Sequence, residues 1–73
     1  MKEPRYWMGD SIGPKDDFGN AIIDEFIDGK TKEGPWAIMS IDSWRLYSRG
    51  QLGQGWGQRY KKQKDGKWLK VEG

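Results

Sequence analysis

The chain contains neither cysteine nor histidine. At 73 residues, that absence constrains the fold more than any motif does. A domain of this length buries only about 60% of the surface its unfolded chain exposes. Small domains draw the rest of their stability from disulfides, a metal or a partner chain. Without cysteine the first is excluded, and without cysteine and histidine so are the usual zinc ligand sets. Thiol nucleophiles, histidine general bases and imidazole pH switches are excluded with them.

Aromatic rings are the remaining resource. Tyr6, Trp7, Phe18, Phe26, Trp36, Trp44, Tyr47, Trp56, Tyr60 and Trp68 are spread along the chain. Each large ring can bury about 150–250 Å², so a few supply most of a small core. Indole packing is therefore expected to replace the missing cross-link, around Trp36, Trp44, Tyr47, Tyr60 and Leu69. Association with a second copy is left open as a further support. The length allows one domain, read as an irregular lead-in over 1–20 and a single folded unit over 21–73. The lead-in is rich in turn chemistry, with Pro4, Gly9, Gly13, Pro14 and Gly19, and Tyr6 and Trp7 are placed to pin it to the core.

Residues 21–28, AIIDEFID, alternate imperfectly and fit either a strand or a short helix. Asp28-Gly29 is a hairpin signal, and Gly34-Pro35 precedes a second apolar run, Trp36 to Met39. The preferred reading is strand, loop near 28–34, strand. Ser40 then suits a helix N-cap, with Asp42 in the first turn, Arg45 and Arg49 toward the far end and Gly50 as the stop. This gives a helix over 41–49, in which Ser43 is one more small residue. GQLGQGWG at 50–57 matches no phosphate-binding fingerprint and reads as a tight connection packed by Leu52 and Trp56.

The C-terminal QRYKKQKDGKWLKVEG carries Asp65-Gly66 between two β-rich arms. A two-residue turn there pairs Lys64 with Lys67 and Gln63 with Trp68. One face then holds Tyr60, Leu69 and Val71, and the other Arg59, Lys61, Gln63, Trp68 and Lys70. A bulged three-residue turn would instead move Trp68 to the side of Tyr60. Together these elements predict an α+β domain of two β-hairpins and one short helix. A small all-β, barrel-like domain is the alternative.

The blocks DGKTKEGPWAIM, LGQGWGQRY and GKWLKVEG resemble small uncharacterised proteins of tailed phages and prophages. The resemblance covers roughly residues 26–73. It implies a bacterial host cell and a zinc-ribbon-like plan. Many such proteins place cysteines where Ser40 and Ser43 stand, with a second pair upstream. This sequence has neither pair, so the plan is expected here without zinc or any other cofactor.

Charge is uneven along the chain. Residues 1–35 hold five Lys/Arg against eight Asp/Glu, and residues 36–73 hold eight against three. A basic half attracts polyanions. The expected role is a non-enzymatic accessory factor acting through protein–protein contacts, with Trp56 and Arg49 as candidate contact residues. The alternative is a module for single-stranded nucleic acid, using Arg59, Lys61, Trp68 and Lys70. Asp16, Asp17, Asp24, Glu25 and Asp28 are the carboxylates a hydrolase would need, but so short a chain leaves little room for a pocket. No apolar run approaches the roughly 20 residues of a membrane span, and MKEPRYWMGD lacks the apolar centre of a signal peptide. The expected location is the cytoplasm.

Overall fold

The first strand, β1, spans Glu25–Lys30 and lies inside the sheet. This explains why its sequence alternates poorly. A strand with neighbours on both edges and cover on both faces buries consecutive residues, and Phe26 and Ile27 are both fully buried. The computed structural model describes residues 3–73; Met1 and Lys2, the first two residues of the expected lead-in, lie outside the described residues. Strand β2 follows at Trp36–Met39, helix α1 at Ile41–Tyr47, β3 at Gly57–Lys62 and β4 at Trp68–Glu72. The sheet is open and antiparallel, in the order β2-β1-β3-β4. The result is an α+β domain rather than a barrel.

Asp28-Gly29 is not the turn that its sequence suggested. Both residues sit within β1, with Asp28 opposite Ile38 and Gln58. The chain reverses later, where the Thr31 hydroxyl and amide both donate to the Pro35 carbonyl and the Gly34 amide donates to the Thr31 carbonyl. Glycine at 29 serves a close approach instead. A Cβ at Gly57, its partner on β3, would stand 2.9 Å from the Gly29 Cα, so the pair lets the two hairpins join at that point.

Ser40 caps α1, its Oγ accepting from the Ser43 amide at 3.2 Å. The helix stops at Tyr47, two residues before the expected end. The Ser48 hydroxyl donates to the Trp44 carbonyl at 2.6 Å, and the Ser48 backbone bridges to Thr31. Helix α1 contacts β1 and β2. It is the element available to cover Ile27 and Met39, which are fully buried on the face opposite Phe26.

The second hairpin turns through Lys64, Asp65 and Gly66. The Gln63 amide donates to the Lys67 carbonyl at 2.7 Å, and Gly66 takes φ +88°, the left-handed residue that closes a three-residue turn. Lys62 therefore faces Trp68, and Tyr60 faces Lys70. This is one step away from the two-residue register, and one step exchanges the faces. Trp68 joins Tyr60 and Phe26. Nearer the end of the hairpin Arg59 pairs with Glu72, leaving Val71 as the extra residue of a bulge.

The rings do not form the centre that the sequence suggested. Trp36 is 46% exposed and Tyr47 40%. The fully buried apolar side chains are Phe26, Ile27 and Met39. Rings pack around Phe26 instead: Tyr60 stacks on it at 5.0 Å, while Trp68 at 5.0 Å and Trp7 at 5.4 Å meet it edge-on.

Trp7 belongs to the N-terminal segment, which forms a strap between the two edges of the sheet. The Lys70 amide donates to the Arg5 carbonyl, and the Trp7 amide to the Trp68 carbonyl, so residues 5–7 line the free edge of β4. At the other end the Asp17 amide donates to the Ile38 carbonyl while the Ile38 amide donates to the Asp17 carboxylate at 2.8 Å, closing part of the β2 edge. Exposed strand edges invite pairing with other chains, and the strap occupies the β4 edge at Trp68–Lys70 and the β2 edge at Ile38.

Candidate nucleic-acid interface

Where the strap leaves the β4 edge, it opens an irregular groove against the tip of the second hairpin. The groove encloses about 420 Å³, and its lining includes Tyr6, Trp7, Asp10, Lys62, Lys67 and Trp68. The strap wall is set by Trp7, whose Nε1 donates to the Asp10 carbonyl at 2.8 Å. Gly9 lies against the Trp7 ring, so closely that a Cβ there would run into it. One face of Trp7 is thus occupied by its own loop.

Two other rings border the groove, each beneath a lysine. Lys62 Nζ lies 5.8 Å from the Trp68 ring centre, on the Phe26 face of the sheet. Lys67 Nζ lies 5.6 Å from the ring of Tyr6, which is 42% exposed. Tyr6 pairs with Leu69, so its ring belongs to the opposite face. The two lysine–ring pairs therefore flank the end of the edge strand from both sides. Each contact is worth about 0.5–1 kcal/mol in an exposed setting.

The residues proposed for nucleic acid from sequence do not form one surface. Arg59 and Lys61 project on the Ile27 face, whereas Trp68 and Lys70 project on the Phe26 face. The three-residue turn at Gly66 is the reason. Arg59 is also engaged. It pairs with Glu25 and reaches Glu72 at 3.4 Å, and the Glu25 hydrogen bond holds its proton more tightly than usual. Lys61 is exposed. Trp56 is half-buried beneath Lys30, 5.8 Å from its ring centre, and Arg49 is exposed just beyond α1.

The residues missed in the sequence are Lys62, Lys67 and Asp10, together with the use of Tyr6 in the groove. The adjacent Tyr6-Trp7 pair was the available signal, since it anchors the strap; the partners that it meets depend on a register invisible in the sequence. A larger hollow, of about 760 Å³, lies between Glu3–Arg5 and Lys70–Gly73. Glu3 and Glu72 oppose Arg5 and Lys70 there, and no aromatic ring lines it. It offers neither a net charge nor a stacking surface.

The carboxylates weighed for catalysis do not gather at one site, although Asp17 lies near enough to Asp28 for its charge to raise the Asp28 pKa. Asp16 is buried and committed to structure. Its Oδ1 accepts from the Phe18 and Asn20 amides, both at 2.9 Å, and its Oδ2 from the Ser40 amide at 2.8 Å. Burial alone would raise its pKa. Hydrogen bonds from the Ser43 side chain, the Ser40 and Asn20 backbones and the Ser40 hydroxyl outweigh that and hold it at about 2. Ser43, fully buried, also accepts from the Asn20 side-chain amide at 2.7 Å; it is a working member of this knot rather than a neutral small residue. Where two cysteines at this spacing would hold a metal, Ser40 and Ser43 hold a carboxylate. Among the described residues no three Asp or Glu side chains gather as a metal site, and no helix is long and apolar enough to cross a membrane.

The chain matches no protein-family model, no curated protein and no solved structure.

Proposed function

We propose that this protein is a non-catalytic binding module for single-stranded nucleic acid, which it takes at the groove between the strap and the second hairpin. The observation that carries this reading is the pair of lysine-covered rings at one groove, Lys62 over Trp68 and Lys67 over Tyr6. Residues 57–73 supply six cations against Asp65 and Glu72, which favours a polyanion. An arriving phosphate draws each ammonium off its ring and frees the ring face for a base. The contact given up is worth about 0.5–1 kcal/mol, and the base stack that replaces it about 1–3 kcal/mol. The exchange is favourable and insensitive to base identity.

Fluorescence titration with a single-stranded oligonucleotide tests the reading. Binding quenches tryptophan emission and weakens with salt. Neutralising two phosphates, by Lys62 and Lys67, gives a log–log salt slope of about −1.4. An unchanged emission spectrum at low salt would overturn it.

A different patch supports the protein-contact reading. Phe18 stacks on Tyr47 at 4.1 Å and 14°, and Leu46, the preceding residue of α1, is 62% exposed. Such a cluster suits a protein hot spot. If it is one, Leu46→Asp abolishes a partner crosslink that the unaltered chain makes in bacterial lysate, and an unchanged crosslinking pattern counts against it.

A further inference from the structure

The groove holds one residue that a sequence-blind phosphate binder has no use for. Asp10 is exposed and is one of the residues that line the groove, as are Lys62 and Lys67. Its backbone carbonyl is fixed by Trp7 Nε1. Its carboxylate makes no hydrogen bond or ion pair among the described residues. A free carboxylate in a basic groove repels phosphate and weakens binding to every strand alike. It becomes useful only to a ligand that presents hydrogen-bond donors of its own.

Among the nucleobases, one matches a carboxylate with two parallel donors. Guanine offers N1–H and the 2-amino group side by side, in the fork geometry that a carboxylate accepts best. Cytosine and adenine offer one exocyclic amino group each, next to a ring nitrogen acceptor that faces the second oxygen unfavourably. Uracil and thymine offer a single N3–H between two carbonyls. We propose that the groove selects guanine, with Asp10 reading its N1–H and 2-amino edge while Trp68 or Tyr6 stacks the base. This deepens the single-strand reading and rests on it.

The test uses the full chain and a heptanucleotide of uridines with one central guanosine. Two comparison strands carry inosine, which lacks the 2-amino group, or uridine at the centre. The guanosine strand is expected to bind about tenfold more tightly than the all-uridine strand, with inosine between them. Asp10→Ala is expected to bring the guanosine-to-uridine ratio close to one while tightening binding to the all-uridine strand, because a repulsive charge has gone. A merely structural Asp10 would weaken both strands together. Equal affinities for guanosine, inosine and uridine in the unaltered chain overturn the selection but leave single-strand binding standing. So does a ratio that survives Asp10→Ala. Failure of all three strands to bind at low salt overturns both.

Discussion

At the β2 edge, the strap is held by two hydrogen bonds between Asp17 and Ile38 and by one buried carboxylate, Asp16, that gathers three backbone amides and the hydroxyls of Ser40 and Ser43. At the β4 edge it is held by Trp7, packed edge-on to Phe26 at 5.4 Å and to Tyr60 at 5.5 Å, with two backbone hydrogen bonds beside it. The polar knot is directional. Each amide has one acceptor, and removing that acceptor strands several donors at once. The ring cluster is non-directional, and losing one ring leaves its neighbours free to relax into the space. The knot is therefore expected to be the more brittle fastening, although it buries far less apolar surface.

Asp16→Ala carries the largest expected effect. The part-buried amides of Phe18 and Asn20 and the buried amide of Ser40 lose their acceptor, and a stranded amide costs about 1–3 kcal/mol where water cannot reach it. A loss on the order of 3–4 kcal/mol is expected. A domain of this size has about 4–11 kcal/mol in total. Urea titration followed by tryptophan emission measures this, and a loss under about 1 kcal/mol would erase the contrast. Trp7→Ala comes next, at about 2–3 kcal/mol. That is below the usual range for a buried ring, because Trp7 is only half-buried. Hydrogen exchange should report the release locally, as faster exchange at the Lys70 amide, whose acceptor is Arg5.

The two fastenings should also fail at opposite ends of the pH scale. The Asp16 carboxyl is held at about 2 against an ordinary 3.8. Its contribution is fully present above 3.8 and is lost as pH falls toward 2, a change worth roughly 2 kcal/mol. Tyr60 behaves inversely. Burial, and then the charge of Asp28, raise its pKa above the ordinary 10.0. Its contribution is present below pH 10 and is lost as pH rises through the folded value. Near-ultraviolet circular dichroism should show the Phe26–Tyr60–Trp68 signal intact in mild acid and eroding in alkali. Loss of that signal in acid ahead of global unfolding would break the comparison.

The same contrast explains what was legible in the sequence. The helix start was readable because Ser40 caps through an amide three residues away. The hairpin at Asp65-Gly66 was readable as a hairpin. Its register was not, since two- and three-residue turns use the same residues and differ only in where the positive φ falls. That single step reassigned Trp68 from the face of Arg59 to the ring cluster, and with it the candidate site. The knot was illegible for another reason. Asp16 meets Ser40 and Ser43 across more than twenty residues, and nothing local distinguishes a carboxylate that caps its own turn from one that also reaches a helix. Asp28-Gly29 misled because a dipeptide that favours turns is equally at home where two strands approach too closely for a side chain.

Asp28 connects the two regions, and it carries the smallest prediction. It lies half-buried within β1, and burial, followed by the charge of Asp17 in the strap, raises its pKa above 3.8. Its own charge in turn raises that of Tyr60 in the ring cluster. At neutral pH the charged side chain therefore opposes the fold. Asp28→Asn removes that opposition and should raise the urea midpoint slightly at pH 7. The acid limb sharpens the test. A carboxyl whose folded pKa is raised gains stability as pH falls through that value toward 3.8. The unaltered chain should therefore show a shallow rise in stability just before the Asp16 loss begins. The variant should lack the rise and decline directly. It should also lose less stability in alkali, because the Tyr60 pKa returns toward 10. A variant that is less stable at neutral pH would mean that the Asp28 carboxylate is a third fastening, and the two-point account of the strap would fail.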